Sequence, residues 1–406
     1  MKPDMGNISG RIFLEKVFLT GIFLAITNMS MKTNTLYKDE NPNRDPVSGP
    51  VAQKVEILAT KKSGEKIALS TKIVNILELT GFTWGIPITK LCAGEDPREQ
   101  IRQLGKVMVI PIFAFILFLL MWDWAAGKAH TSLGDIPGPA AVWSEARGLL
   151  DNHYKEREKE AEFYQRQKER NAKALAADPN VKITMRSYTG KPTFLDQITT
   201  SLWTVFTGFI LAAMIAVPLG VLCGLSSTVN TALNPLIQIF KPISPLAWLP
   251  IVTLVISATY EVTANSWFEK AFLISAITVM LCSLWPALIN TAVGVASIDK
   301  DLMNVSRVLQ LGWFRTISKI VIPSALPLIF TGLRLSLGVG WMVLIASEML
   351  AQNPGLGKFI WDEFQNGSSH SQGRILVAVF TIGIIGFMLD RIIMTLQKFF
   401  SFGKTM

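Results

Sequence analysis

Histidine and cysteine are scarce, with three of each in 406 residues. Cys92, Cys223 and Cys282 form no spaced pair, and His130, His153 and His370 stand far apart. That excludes a disulfide framework and a zinc site, and no metal is expected. Charge is also thin: 17% of residues are charged against 50% hydrophobic, too little for a soluble chain of this size. The phosphate-binding loop is missing. Gly403-Lys404-Thr405 resembles its end, but Lys398 stands where its first glycine should, and no helix follows. The chain therefore cannot hydrolyse ATP by that route. No stripe of basic and aromatic residues accompanies the net charge of +9, so nucleic acid is not a partner. No titratable cluster gathers at one depth, which argues against a membrane-embedded enzyme.

What the chain has is long apolar runs. The spacing predicts an all-α, polytopic membrane bundle with about six core spans. The first is 107–126, after the basic Arg98, Arg102 and Lys106, with Trp122 and Trp124 at its far interface. The others are expected at about 198–225, 246–257, 271–293, 326–349 and 375–396. The third is short and crowded by Pro235, Pro242, Pro245 and Pro250, which predicts a broken or kinked approach. Residues 1–106 read as a cytoplasmic or interfacial extension. Within it, 11–28 allows a signal peptide, an extra span, or an upstream-extended start with translation beginning at Met29 or Met31. Residues 32–72 read as a flexible tail, and 72–91 as a segment lying on the membrane surface. Residues 127–196 form a polar block centred on a charged helix, 143–177, with pairs such as Glu162–Arg166 and Glu169–Lys173. It reads as a solvated periplasmic helix, or as a contact surface for a delivery protein. Both termini are expected in the cytoplasm. No internal repeat supports an inverted-repeat transporter.

Residues 299–323, DKDLMNVSRVLQLGWFRTISKIVIP, stand as a basic island between two apolar runs. Lys300, Arg307, Arg315 and Lys319 hold such a loop on the cytoplasmic side. The pattern reads as an amphipathic helix, a turn at Gly312 and a second helix stopped by Pro323. The stretch resembles the coupling loop of bacterial ABC-type importer permeases, whose motif runs Glu-Ala-Ala, three residues, Gly, nine residues, Ile-x-Leu-Pro. Asn304-Val305-Ser306 stands at Glu-Ala-Ala, Gln310 at Gly, and Ile320-Val321-Ile322-Pro323 at the end. With Gln310 in the glycine position, the turn is expected to move to Gly312. KPISPLAWLP (241–250), PALINTAVGV (286–295), IFTGLRLSLGVGW (329–341) and ASEML (346–350) are similar to the nitrate/taurine/sulfonate branch, nearest its nitrate/nitrite and bicarbonate members. The resemblance covers about 194–398 and gives a permease domain over 197–398.

That resemblance implies a subunit of an ATP-driven importer in the bacterial inner membrane. It implies a homodimer, two cytoplasmic ATPase subunits holding ATP and Mg, and an external substrate-binding protein. No cofactor is expected in this chain. The ATPase contact falls on Asn304, Val305, Ser306, Arg307, Val308, Leu309, Gln310, Leu311 and Gly312. The expected cargo is nitrate with nitrite, with bicarbonate or taurine and other alkanesulfonates as the alternatives. A channel or ion-coupled carrier is the more distant reading. For the path, charges and hydroxyls within spans are the candidates: Thr200, Thr204, Thr207, Arg334, Trp341 and Glu348. Arg334 and Asp390 are also a candidate structural ion pair, because the fifth and sixth spans run antiparallel. Arg374 lies too far round its helix for one neighbour to meet both it and Asp390, which leaves Glu348 without an assigned partner.

Overall fold

The computed structural model describes residues 74, 77, 85–93, 97–128, 130–131, 134–178, 185–261 and 268–402. The readings for 11–28 and 32–72 lie outside the described residues. The described part is helical: α1 (Ile86–Ala93), α2 (Pro97–Leu104), α3 (Ile110–Ala126), α4 (Pro139–Ala177), α5 (Phe194–Leu225), α6 (Ser227–Phe240), α7 (Pro245–Thr259), α8 (Lys270–Ala296), α9 (Lys300–Val308), α10 (Trp313–Thr316), α11 (Ile322–Ala351), α12 (Leu356–Asn366) and α13 (Ser369–Phe402). Its two strands, β1 (His130–Thr131) and β2 (Gly134–Asp135), pair antiparallel with His130 opposite Asp135.

The chain divides into two compact units. The smaller contains 161–189. There the second half of α4 is lined by the segment after it: Phe163 packs on Tyr188, and the Tyr188 N–H donates to the Tyr164 hydroxyl. Glu162 pairs with Arg166 at 3.7 Å, whereas Glu169 accepts from Gln165. The larger unit, 64–160 with 190–406, holds the spans.

Among the described residues, five helices are long and apolar enough to cross a bilayer, within 102–126, 194–225, 270–296, 313–351 and 370–400. A sixth crossing forms if α6 and α7 count as one broken span, bent by 101°. Proline chemistry makes that break. Pro242 and Pro245 have no N–H to donate and push the residues before them out of helical geometry. The Ser244 hydroxyl then accepts from the Leu246 N–H and starts α7 afresh.

Two other prolines are absorbed without a break. Short π-helical stretches at Gly105–Val109 and Ile317–Val321 come just before Pro111 and Pro323. The wider turn spares each proline ring a clash with the preceding turn. Pro323 therefore does not stop a helix. It sits in the first turn of α11, and the helical path runs unbroken from Trp313 to Ala351.

α8 lies at the centre, packed against α5, α11 and α7. α5 meets it through small residues. A Cβ on Gly208 would stand 2.6 Å from the Ala276 carbonyl, and one on Gly220 2.6 Å from Thr291 Cβ. Only glycine lets the backbones close to that distance. On α11, Gly332 plays the same part against Asn290, while Gly338 and Gly383 face open space. α3 is different: Ile112, Phe113, Phe115, Leu120 and Met121 all point outward, and Trp122 rests on Phe380 of α13. In water such a helix would be untenable; in a bilayer the acyl chains cover it.

Candidate functional site

The 299–323 stretch builds from its caps. Asp299 Oδ1 accepts from the Asp301 N–H at 3.0 Å and opens α9. At the other end the Leu311 N–H donates to Ser306 O and the Gln310 N–H to Arg307 O, each at 3.0 Å. Those two bonds are a Schellman closure, whose middle residue must be left-handed. Gln310 fills that position at φ 48°. The turn therefore stays at Gln310 rather than moving to Gly312, which is extended and precedes α10. The closure satisfies two helix-end carbonyls, which outweighs the roughly 1 kcal/mol that a side chain costs in this conformation. Gln310→Gly should thus raise the stability of α9 by up to about 1 kcal/mol. Slower amide exchange over 300–308 would show it, and unchanged exchange would contradict the strain argument.

α9 has two faces. Ser306 is buried and Met303 packs towards Val321 and Val295, so these residues fix the helix to the bundle. Leu302, Val305, Val308 and Leu309 face outward, with Val308 81% exposed. Asn304, Arg307 and Gln310 are exposed as well, and Leu311 is half-buried. Beyond Gly312, Trp313 and Phe314 extend the apolar knob, Phe314 at 80% exposure. The sequence reading ended at Gly312 and missed both. Their signal was two adjacent aromatics in an otherwise polar loop.

Arg334 of α11 and Asp390 of α13 form a two-pronged pair, Nε to Oδ1 and Nη2 to Oδ2, the latter at 2.8 Å. Two turns further along α11, the Trp341 indole N–H donates to Ile382 O at 3.0 Å. Both contacts fasten α11 to α13. The three threonines on α5 return their hydroxyls to their own helix: Thr200 to Asp196 O, Thr204 to Thr200 O and Thr207 to Trp203 O. Thr204 is fully buried, and Thr207 is half-buried.

Glu348 is fully buried at the opposite end of α11 from the 299–323 stretch. The Ser201 hydroxyl of α5 donates to its carboxylate, at 2.9 Å from Oε1 and 2.8 Å from Oε2. The Gly357 N–H donates to Oε2 at 3.0 Å, and the Asn353 amide approaches Oε1 at 3.5 Å. Ser201 in turn accepts from the Leu356 N–H at 2.8 Å, and Asn353 donates to Thr204 at 3.1 Å. Leu356 and Gly357 open α12, so the carboxylate sits on a helix N-terminus, where negative charge is favoured. Gly355 must be glycine, because a Cβ there would collide with the carboxylate itself. The result is a clasp that ties α5, α11 and the turn 353–357 together. Ser201 and Asn353 were absent from the sequence candidates. The sign was Ser201 three residues before Thr204, on the same face of α5.

Arg374 does not meet Glu348. It pairs with Glu145 of α4 and Glu363 of α12, each at 3.2 Å, while His370 contacts Glu145 and Ser371 donates to Glu363. This second clasp holds the first half of α4 against α12 and α13.

The chain has relatives. Residues 216–401 match the family model described as binding-protein-dependent transport system inner membrane component. The nitrate import permease protein NrtB of Synechococcus elongatus is 37% identical over 197 residues, 48% of this chain and 66% of that protein. The bicarbonate transport system permease protein CmpB of the same organism is 32% identical over 301 residues, 74% of this chain and 92% of that protein. The putative aliphatic sulfonates transport permease protein SsuC of Bacillus subtilis is 28% identical over 198 residues, 49% of this chain and 66% of that protein. With its apolar helices and its exposed knob, the chain belongs to the inner membrane components of binding-protein-dependent transport systems, the permease subunits of ABC importers, in the branch of those three relatives.

Proposed function

We propose that this subunit carries nitrate, with nitrite, across the inner membrane by alternating access. Two copies would form the path, and two cytoplasmic ATPase subunits would each receive one knob made by Val305, Val308, Leu309, Trp313 and Phe314. A substrate-binding protein would deliver the anion to the side of α12. Both termini would lie in the cytoplasm. The observation that carries the reading is the knob: an apolar surface exposed on a basic loop and fixed to the bundle by Ser306 and Met303. Closure of the ATPase pair on ATP would move α9, and α8, joined to it by Ser297–Asp299, and α11, joined to it through α10, would follow. Of the polar candidates in the spans, Thr200, Thr207 and Arg334 keep exposure and would meet the anion. Thr204, Trp341 and Glu348 would hold helices together.

Nitrate is supported by the higher identity to NrtB, 37% against 32% for CmpB, over a shorter match. Bicarbonate is the second reading, because the CmpB match reaches further, over 74% of the chain. Proteoliposomes holding the permease, its ATPase and its binding protein decide between them. ATP-dependent uptake of nitrate should exceed that of bicarbonate and taurine by at least about tenfold, or about 1.4 kcal/mol of discrimination. Uptake without ATP would overturn the importer reading, and preference for bicarbonate would overturn the cargo.

A further inference from the structure

A cavity of about 240 Å³ lies where α6 crosses the ends of α5 and α8. One wall is apolar, made by Cys223, Leu288 and Val293 among others. The other wall is polar. Asn230, Asn234 and Gln238 follow one another at helical spacing along α6, Lys241 continues the row as its C-cap, and all four line the space. The Gln238 amide donates to Asn234 Oδ1 at 3.4 Å, a bond that does not use the Asn234 NH2. No carboxylate lines the cavity. The groups presented are therefore carboxamides and one ammonium, without a counter-charge among the lining residues.

We infer that this cavity is a binding site for a small oxoanion such as nitrate or bicarbonate, taken up beside the coupling stretch. The chemistry is that of anion recognition by donors: an ammonium supplies charge and amide N–H groups supply direction. The volume corresponds to about eight waters at about 30 Å³ each, room for the anion with part of its hydration shell. The apolar wall is rigid, because Gly220 brings α5 tight against Thr291 and Leu288 of α8. The position is as telling as the lining. Ala296, the last residue of α8, lines the cavity, and Asp299 opens α9 three residues later. Movement of α9 thus reaches the cavity wall through the short link Ser297–Ile298 and through Met303, which packs towards Val295 of α8. The four polar side chains are exposed, so water screens the charge and binding is weak. A site from which an anion must leave has that requirement. The cavity is the last stop before release, which rests on the importer reading above.

The test uses the assembled complex in phosphatidylcholine nanodiscs, with Cys92, Cys223 and Cys282 replaced by serine and Val293→Cys added on the apolar wall, where no donor is lost. A neutral maleimide reports access to position 293. Nitrate or bicarbonate at about 10 mM should slow alkylation at least about threefold relative to gluconate of equal ionic strength, and Lys241→Gln should abolish the difference. Equal rates in nitrate, bicarbonate and gluconate overturn the site, as does protection that survives Lys241→Gln. Protection that appears only with phosphatidylglycerol assigns the cavity to a lipid headgroup and also overturns it. Uptake in proteoliposomes separates the two readings. Uptake without protection removes the site and spares the importer. Protection with no ATP-driven uptake of any anion removes the release role and the importer reading with it, leaving an anion site unconnected to transport.

Discussion

Glu348→Ala should cost about 3–5 kcal/mol and leave little folded permease, although residue 348 is far along the chain from every residue proposed to dock the ATPase. The carboxylate is fully buried, and it is the acceptor for the Ser201 hydroxyl and the Gly357 N–H. Alanine leaves both donors in a dry site, and each orphaned donor costs about 1–3 kcal/mol. It also opens a void under Gly355, which has no side chain to fill it. Glu348→Gln keeps the volume but turns an NH2 towards other donors, so its loss should be smaller, about 1–3 kcal/mol. Thermal unfolding of the detergent-solubilised protein would read these effects. Ser201→Ala should destabilise alone yet add little on top of Glu348→Ala, since one network is removed only once. Full additivity, or an alanine variant as stable as the parent, would refute the clasp.

Much of the bundle is written in plain hydrophobic runs. The expected spans at 198–225, 271–293 and 326–349 fall inside helices 194–225, 270–296 and 322–351. The proline-crowded third span is the bent pair α6 and α7. These features depend on local chemistry: apolar length for a span, a missing N–H for a break. Partners were harder to read, because they depend on tertiary placement. Glu348 invites a search for an opposite charge on a neighbouring span. It met a serine 147 residues away and a backbone N–H instead. Arg374 was considered for Glu348 and found Glu145, 229 residues back, on a helix outside the spans. Gln310 shows a different limit. A glycine rule moved the turn to Gly312, but two cap hydrogen bonds hold it at Gln310 despite a positive φ. Where several bonds act together, a single-residue preference of about 1 kcal/mol loses.

Leu309→Asp should cut ATP-driven uptake at least about tenfold while leaving the permease itself as stable as before. Leu309 is 63% exposed and Val308 81% exposed in the isolated chain, so neither contributes much to the bundle. In a groove of the ATPase each would gain about 1.5–3 kcal/mol from burial. An aspartate at 309 forfeits that gain and places a carboxylate in an apolar contact, which costs still more unless it finds a partner. ATPase copurification should fall, or hydrolysis should continue without transport. Ser306→Asp supplies the contrast. Ser306 is buried and its hydroxyl donates to Met303 O at 2.7 Å, so a carboxylate there faces the bundle and should lower the unfolding temperature of the permease alone. The two substitutions stand three residues apart on one helix, yet one should act on docking and the other on folding. If Leu309→Asp lowered the unfolding temperature as much as Ser306→Asp, or left uptake intact, the outward face of α9 would not be the ATPase contact.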